Sequence, residues 1–286
     1  MNKQKQKIYL KPNNKIRFNI DKLNIYKEIC TLTKRLYIQT YRRPSIITIN
    51  IMQPLLWLIL FGALFQKAPI NLFNGCNIKY REFLNPGILV FIGFNSSINA
   101  GLPIMFDREF GFLNRIITSP LIDKKSLVYS TILHTWSITS IQIIIIMIFN
   151  IYYTNIIPNL TQIFTTIGVN TLIIISVTNI SICNAFILPG HIEFIAITTL
   201  LINLPTLFSS TALSPIFFMP NWLQIIVYLN PLTYAIELIR HSYLKNTFLL
   251  ENTLLKINIY SSTLILITIS ILSLLCIKKI LKHKYE

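Results

Sequence analysis

Charge is scarce in this chain of 286 residues: Asp, Glu, Lys and Arg make up only 13%, against the ~25% usual in soluble domains. Hydrophobic residues reach 53%, and together these values exclude an ordinary water-soluble fold. Acids are the scarcest class, 10 against 26 Lys plus Arg, which leaves a formal net charge of +16. Cysteine is limited to Cys30, Cys76, Cys183 and Cys276, far apart and without a C-x-x-C pair, so neither a metal site nor a disulfide frame is expected. The four histidines, His134, His191, His241 and His283, are as scattered, and no H-E-x-x-H occurs, which argues against a zinc enzyme. None of the eight glycines begins G-x-x-x-x-G-K-[ST], the motif whose backbone amides wrap nucleotide phosphates. No ATP hydrolysis by that route is expected of this chain.

The N-terminus also lacks things. No run of seven apolar residues precedes Pro44, so no cleaved secretory signal is expected, and residues 1–44 contain no Ser, unlike a transit peptide. The chain is therefore expected to be made in the compartment that holds its membrane. Alanine occurs 7 times against 56 isoleucines, a bias that fits an AT-rich coding genome and says nothing of mechanism.

What is present is long apolar stretches with basic ends. Residues 1–43 hold twelve Lys/Arg and 278–286 hold four, a distribution that fits a membrane protein better than a nucleic-acid binder. A span needs about 20 mainly apolar residues, and six segments qualify: 46–65, 83–105, 126–150, 163–188, 195–218 and 260–277. The weakest separation is between the fourth and fifth, at Pro189, Gly190, His191 and Glu193. The expected fold is all-α and polytopic: a basic arm and surface helix in 1–45, a six-helix membrane domain in 46–277, and a basic tail in 278–286. The termini and the 106–125 loop hold 20 Lys/Arg, while the other side holds Lys67, Lys79, Arg81, Arg240, Lys245 and Lys256. Both termini should thus face the cytoplasm or its organellar equivalent.

From Asp21 to Arg43, Leu23, Tyr26, Cys30, Leu36, Tyr37 and Thr40 recur at near-helical steps, which predicts an amphipathic helix on the membrane surface. Gln53, Asn95, Asn99, Gln142, Asn170, Asn179, Asn184 and Asn203 fall within spans and need partners or a cavity. Candidates for lining a pathway are Gln53, Asn95, Asn99, Asn170, Ser181 and Asn184, although bonding between helices explains a lone amide equally well. Asn170, Val177, Ser181 and Asn184 share one helical face. In the loop after the second span, Phe110, Leu113 and Ile117 lie at helical spacing behind Asp107, Arg108 and Glu109. This predicts a short amphipathic helix resting on headgroups or on another protein.

Here the chain resembles a known family. F-L-N-P-G-I-L-V at 83–90, D-R-E-F-G-F-L-N-R at 107–115 and S-P at Ser119 and Pro120 look like the permease subunit of ABC-2 type transporters. The likeness extends to R-R-P at 42–44, Q-P-L-L-W-L-I-L-F-G at 53–62, P-N-W-L-Q at 220–224 and N-P-L-T-Y-A-I-E-L-I-R at 230–240. These matches are collinear over about 200 residues, and they are similar above all to the drug-resistance and nodulation-factor exporter branch and to plastid-encoded algal permeases. Two departures stand out: Leu121-Ile122-Asp123-Lys124-Lys125 replaces the usual small residue and Ser-Arg, and no Gly precedes Pro215.

The resemblance implies a transport subunit that is not itself an enzyme, has no catalytic or metal site, and binds no cofactor. ATP and Mg belong to a separate P-loop ABC ATPase partner, and two copies of this chain form the membrane domain as a homodimer. Residues 107–117 resemble the coupling helix, with Phe110, Phe112 and Leu113 as apolar anchors, Asp107, Arg108, Glu109 and Arg115 as charged contacts, and Gly111 between them. The helix at 21–43 resembles the family's connecting helix. Residues 220–250 resemble outer re-entrant helices, in which Glu237 and Arg240 can pair, and Asn230-Pro231 reads as a turn or a helix start rather than a substrate contact. Export by alternating access is implied, and the likeness suggests a chloroplast membrane, with a bacterial inner membrane as the second reading. A secondary transporter or passive channel without an ATPase is the alternative, yet among the spans only His134 offers an ionisable group for ion coupling, and neither explains the 107–120 motif.

Overall fold

The structure, a computed structural model, describes residues 22–65, 80–118, 125–154, 157–244 and 259–285. Its elements are helices: α1 (Lys22–Tyr41), α2 (Pro44–Leu64), α3 (Tyr80–Ile98), α4 (Leu102–Glu109), α5 (Phe112–Thr118), α6 (Lys125–Thr154), α7 (Leu160–Ile187), α8 (His191–Ala196), a π-helical turn (Ile197–Asn203), α9 (Leu204–Phe208), α10 (Asn221–Leu229), α11 (Pro231–Leu244) and α12 (Ile259–Tyr285). Among the described residues no strand occurs. Six helical stretches among the described residues are long and apolar enough to cross a membrane: Ile47–Leu64, Tyr80–Glu109, Lys125–Tyr152, Leu160–Ile187, His191–Phe208 and Tyr260–Ile280. The protein is an all-α, multi-pass membrane protein.

Local chemistry sets several boundaries. Pro44 opens α2 at the position where a missing amide costs nothing, and the Asn159 amide donates to Gln162 Oε1 at 2.8 Å as α7 begins. Asn230 ends α10 and starts α11: its Oδ1 accepts the Leu232 amide at 3.0 Å, while its Nδ2 donates to the carbonyls of Thr206 and Ser209.

The second span is the axis of the bundle. It packs against α2, α6, α7 and α11, and 83% of its apolar window is buried inside the protein, against 44% or less for every other span. Close approach on this axis depends on small residues. A Cβ on Gly87 would lie 2.7 Å from the Ala212 backbone, one on Gly93 2.3 Å from Asn170 Oδ1, and one on Gly101 2.5 Å from the Ser181 carbonyl oxygen.

Three expected boundaries are corrected. The second span does not end at 105: it breaks at Asn99–Gly101 and resumes as α4, which carries Asp107, Arg108 and Glu109 as its last residues. The expected single helix over 107–117 is divided, because Gly111 takes a left-handed φ of 72° and α5 starts only at Phe112. The fifth span runs His191–Phe208 rather than 195–218, since the chain turns after Phe208 and passes Pro215 as a short 3-10 segment, Ile216–Phe218.

The surface helix forms, but with a different inner face. Ile25, Ile29, Leu32, Leu36 and Thr40 turn inward, whereas Tyr26 and Cys30 are exposed. The reason is its neighbour: α1 packs on α6, and polar tips choose the register. Thr40 Oγ1 lies 2.8 Å from His134 Nε2, the Tyr37 hydroxyl bonds Ser137 Oγ, and the Tyr37 and His134 rings meet edge-on at 5.1 Å.

Between the fifth and last spans, α10 and α11 meet at 84°, a bend that fits a broken span and a re-entrant loop alike. Residues 245–250 of that segment lie outside the described residues, as do 1–21, Lys67, Cys76, Lys79, Ser119, Pro120, 121–124 and Lys256.

Candidate functional site

The motif at 107–115 sits where α4, α5, α1 and the α7–α8 turn converge, on the face that also holds the start of α6 and the end of α12. Leu113 of α5 and Phe194 of α8 share one buried cluster with Val128 and Ile277. Gly101 anchors the start of α4, for its amide donates to Ser181 Oγ at 2.9 Å, and Ser181 Oγ in turn donates to the Ile98 carbonyl at 2.6 Å.

Arg108 and Glu109 hold the two ends of one turn. The last carbonyls of a helix lack intrahelical partners, and Arg108 supplies donors to two of those of α7 and to the two carbonyls that follow the helix. Its Nη1 donates to Ala185 and Phe186 at 2.8 and 3.2 Å, and its Nη2 to Pro189 at 2.8 Å and to Leu188. Glu109 acts on the next helix: its Oε1 accepts the His191 amide at 2.6 Å, and its Oε2 meets His191 Nδ1. A carboxylate at a helix N-terminus satisfies an orphan amide and suits the helix dipole. The fourth and fifth spans are thus both tied to the end of the second. Asp107 completes the junction by pairing with Arg35 of α1, whose guanidinium also stacks 4.5 Å from the centroid of Phe112.

The expected apolar anchors separate. Phe110 is 80% exposed and Phe112 41%, while Leu113 is 2% exposed and packs inward. Leu113 therefore belongs to the core, because the turn at Gly111 rotates α5 away from the line of α4. Arg115 is exposed. The outer surface of the junction is formed by Phe110, Phe112 and Arg115.

The amides expected along a pathway also divide. Asn95 joins three spans: its Nδ2 donates to Gln53 Oε1 at 3.5 Å, and its Oδ1 accepts from Asn203 Nδ2 at 2.8 Å. Asn170 and Ser181 instead press against Gly93 and Gly101, which makes their shared face the α3–α7 packing seam. Gln142 accepts from Ser96 Oγ at 2.8 Å, and Asn179 donates to Ser273 Oγ at 3.3 Å. Asn184 is half-buried on α7. Asn99 lines a cavity of ≈ 140 Å³ between α1, α2, α4 and α6, together with Gln39, Asn50, Ser96 and His134.

Glu237 and Arg240 pair as expected, and the pair is buried, at 5% and 4% exposure. Arg240 also donates to the Thr211 carbonyl at 2.7 Å and lies 3.9 Å from the Phe83 ring centroid. Sequence spacing could suggest the i,i+3 pair but not Phe83, 157 positions away. The Arg35–Asp107 and Glu109–His191 links were equally unreadable. Their only signal is that an Arg, a His and two acids occur in a chain with few charges.

Comparison with known proteins gives a consistent result. The profile described as ABC-2 type transporter matches residues 27–244. Three curated relatives carry the name "Putative transport permease ycf38". The one from Porphyra purpurea is 46% identical over 88% of this chain and 87% of its own length. The one from Cyanophora paradoxa is 47% identical over 90% and 89%, and the one from Pyropia yezoensis 42% over 98% and 97%.

Proposed function

We propose that this chain, which belongs to the ABC-2 type transporter family, is the membrane half of an exporter driven by a separate P-loop ATPase. That it is a transport permease follows from the family. The finer reading concerns direction, partner and placement. Two copies of the chain, each paired with one ATPase subunit, form the transporter, and the ATPase docks on Phe110, Phe112 and Arg115. Both termini and this junction face the ATP-containing side, as the Lys/Arg distribution favours. The algal relatives and the AT-rich composition favour a plastid membrane. ATP and Mg are held by the partner, and this chain contributes no catalytic residue.

The observation that carries the reading is that an exposed aromatic pair stands beside residues gripping three other elements. Phe110 follows directly on Arg108 and Glu109, which hold the α7–α8 turn, and on Asp107, which holds α1. A push on Phe110 therefore reaches the surface helix and the second, fourth and fifth spans together. Such a linkage lets a partner's closure bias the spans between inward-open and outward-open arrangements, provided the partner contacts differ in the two states.

Affinity purification in mild detergent tests this. The wild-type chain should carry a stoichiometric P-loop ATPase, and Phe110→Asp should lose it while the permease stays monodisperse. Repeated recovery of intact wild-type chain without an ATPase would overturn the reading.

A further inference from the structure

The cavity of ≈ 140 Å³ enclosed by α1, α2, α4 and α6 mixes apolar walls with amide and imidazole groups. Gln39, Asn50, Asn99 and His134 line it, and so do Leu36, Ile47, Phe106 and Ile138. Arg43 stands at its mouth, exposed, and among the described residues no carboxylate lines it. For comparison, an apolar cavity of about 150 Å³ holds a benzene molecule, so this one admits a single six-membered ring.

The polar lining is short of donors. Gln39 Oε1 is enclosed without a hydrogen-bond partner. Asn99 Nδ2 donates to the Asn95 carbonyl at 2.9 Å, which leaves its Oδ1 as an acceptor. Thr40 donates its hydroxyl hydrogen to the Leu36 carbonyl at 2.8 Å, so toward His134 Nε2, also at 2.8 Å, it accepts. The neutral imidazole then keeps its lone pair on Nδ1. An ionised phosphate or carboxylate brings acceptors alone and satisfies none of these atoms. An organic cation brings donors, yet it finds no carboxylate here and a guanidinium at the entrance. Water meets the amides but gains no partner along the apolar walls.

We propose that this cavity binds a neutral, polyhydroxylated six-membered ring, the size of one sugar unit, free or as the headgroup of a lipid. Each hydroxyl both donates and accepts, while the C–H faces of such a ring cover Leu36, Ile47, Phe106 and Ile138. The depth suits either source. Arg43 precedes α2 directly, and Asn50 lies seven residues further on, about 10 Å along the helix axis, so the cavity leads from the membrane surface into the first turns of the span. A bound ring bridges the surface helix to the first, second and third spans and holds α1 against them. The site is built by one copy of the chain, and it stands or falls independently of the ATPase and of the direction of transport.

Native mass spectrometry of the purified full chain in a polyoxyethylene detergent, supplied with one probe at a time, tests it. A monoglucosyl diacylglycerol should be retained, whereas the same diacylglycerol without its sugar and the phosphatidic acid with the same chains should not. Retention of free glucose as well would show that a soluble ring suffices, and its loss would make the acyl chains part of recognition; the site stands in either case. Gln39→Met and Asn50→Leu nearly keep the side-chain volume and should each weaken retention about fivefold, the share of one neutral hydrogen bond. Gln224→Met, outside the cavity, should leave it unchanged. In the wild-type chain, where no variant has to fold, a diazirine on the sugar ring should label α1, α2, α4 or α6 at the cavity. Equal retention with and without the sugar, retention of neither sugar probe, unchanged retention in both cavity variants, or labelling away from the cavity would each overturn the site.

Discussion

The carboxylate of Glu109 accepts the backbone amide of His191, 82 positions further along the chain, at 2.6 Å. This bond joins the last residue of α4 to the first residue of α8, so the turn between the fourth and fifth spans is closed by a side chain from the second. Glu109→Gln keeps an acceptor for that amide and should leave thermal unfolding in detergent near wild type. Glu109→Lys places a cation at the positive end of α8 and should lower the unfolding midpoint. On the proposed reading it should also reduce the activity of the ATPase that copurifies with the chain, because the fifth span is then released from the junction. Equal midpoints for the two variants would remove Glu109 from this role.

Gly111 gives a cleaner test of the turn itself. Its φ of 72° lies in the left-handed region, and an added Cβ would meet nothing within 4 Å. The cost of Gly111→Ala is therefore backbone strain alone, about 1–2 kcal/mol. Gly111→Asn should cost less, since Asn tolerates this region. Calorimetry or thermal scanning of the two variants should rank them in that order.

Gly101 is constrained by its neighbour instead. A Cβ there would lie 2.5 Å from the Ser181 carbonyl oxygen, and a backbone atom cannot step aside as a flexible side chain can. Gly101→Ala should destabilise the protein by about 1–3 kcal/mol, the usual cost of overpacking. A smaller loss on Ser181→Ala would show that the close approach, not the hydroxyl bond, dominates at this seam.

How much of this was legible in the sequence follows from the kind of information each feature uses. Six apolar stretches and the surface helix were readable because hydropathy and periodicity are local. The fifth span ends earlier than expected because Ser209–Pro215, a run of small and hydroxyl residues without charge, follows the helix, and the lack of charge alone cannot say where a helix stops. Leu113 read as an anchor because its spacing from Phe110 is helical, but the helix breaks between them at Gly111. The inner face of α1 depended on His134 and Ser137, nearly a hundred positions away. Asn170 and Ser181 looked like a polar path, and only the glycines opposite them show that they serve close packing.

The buried pair Glu237–Arg240 offers a stability test with a built-in control. Both side chains are almost fully enclosed, so Arg240→Met should leave an uncompensated carboxylate and cost about 3–5 kcal/mol. Combining it with Glu237→Leu removes both charges and should recover much of that loss. If the double variant is no more stable than the single one, then the contacts of Arg240 with Thr211 and Phe83 hold α11 in place, rather than the ion pair.

The near-complete enclosure of the second span has a consequence for how the protein is made. A helix that ends enclosed begins its life facing lipid, because α6, α7 and α11, which surround it, are synthesised after it. During that interval α2 is, among the described residues, the one earlier membrane helix beside its polar residues Asn85, Asn95, Ser96, Ser97 and Asn99. Gln53 is the α2 side chain that reaches Asn95. Gln53→Leu should therefore lower the yield of inserted protein more than it lowers the stability of the protein that does insert. Biogenesis and final structure thus place different demands on the same amide.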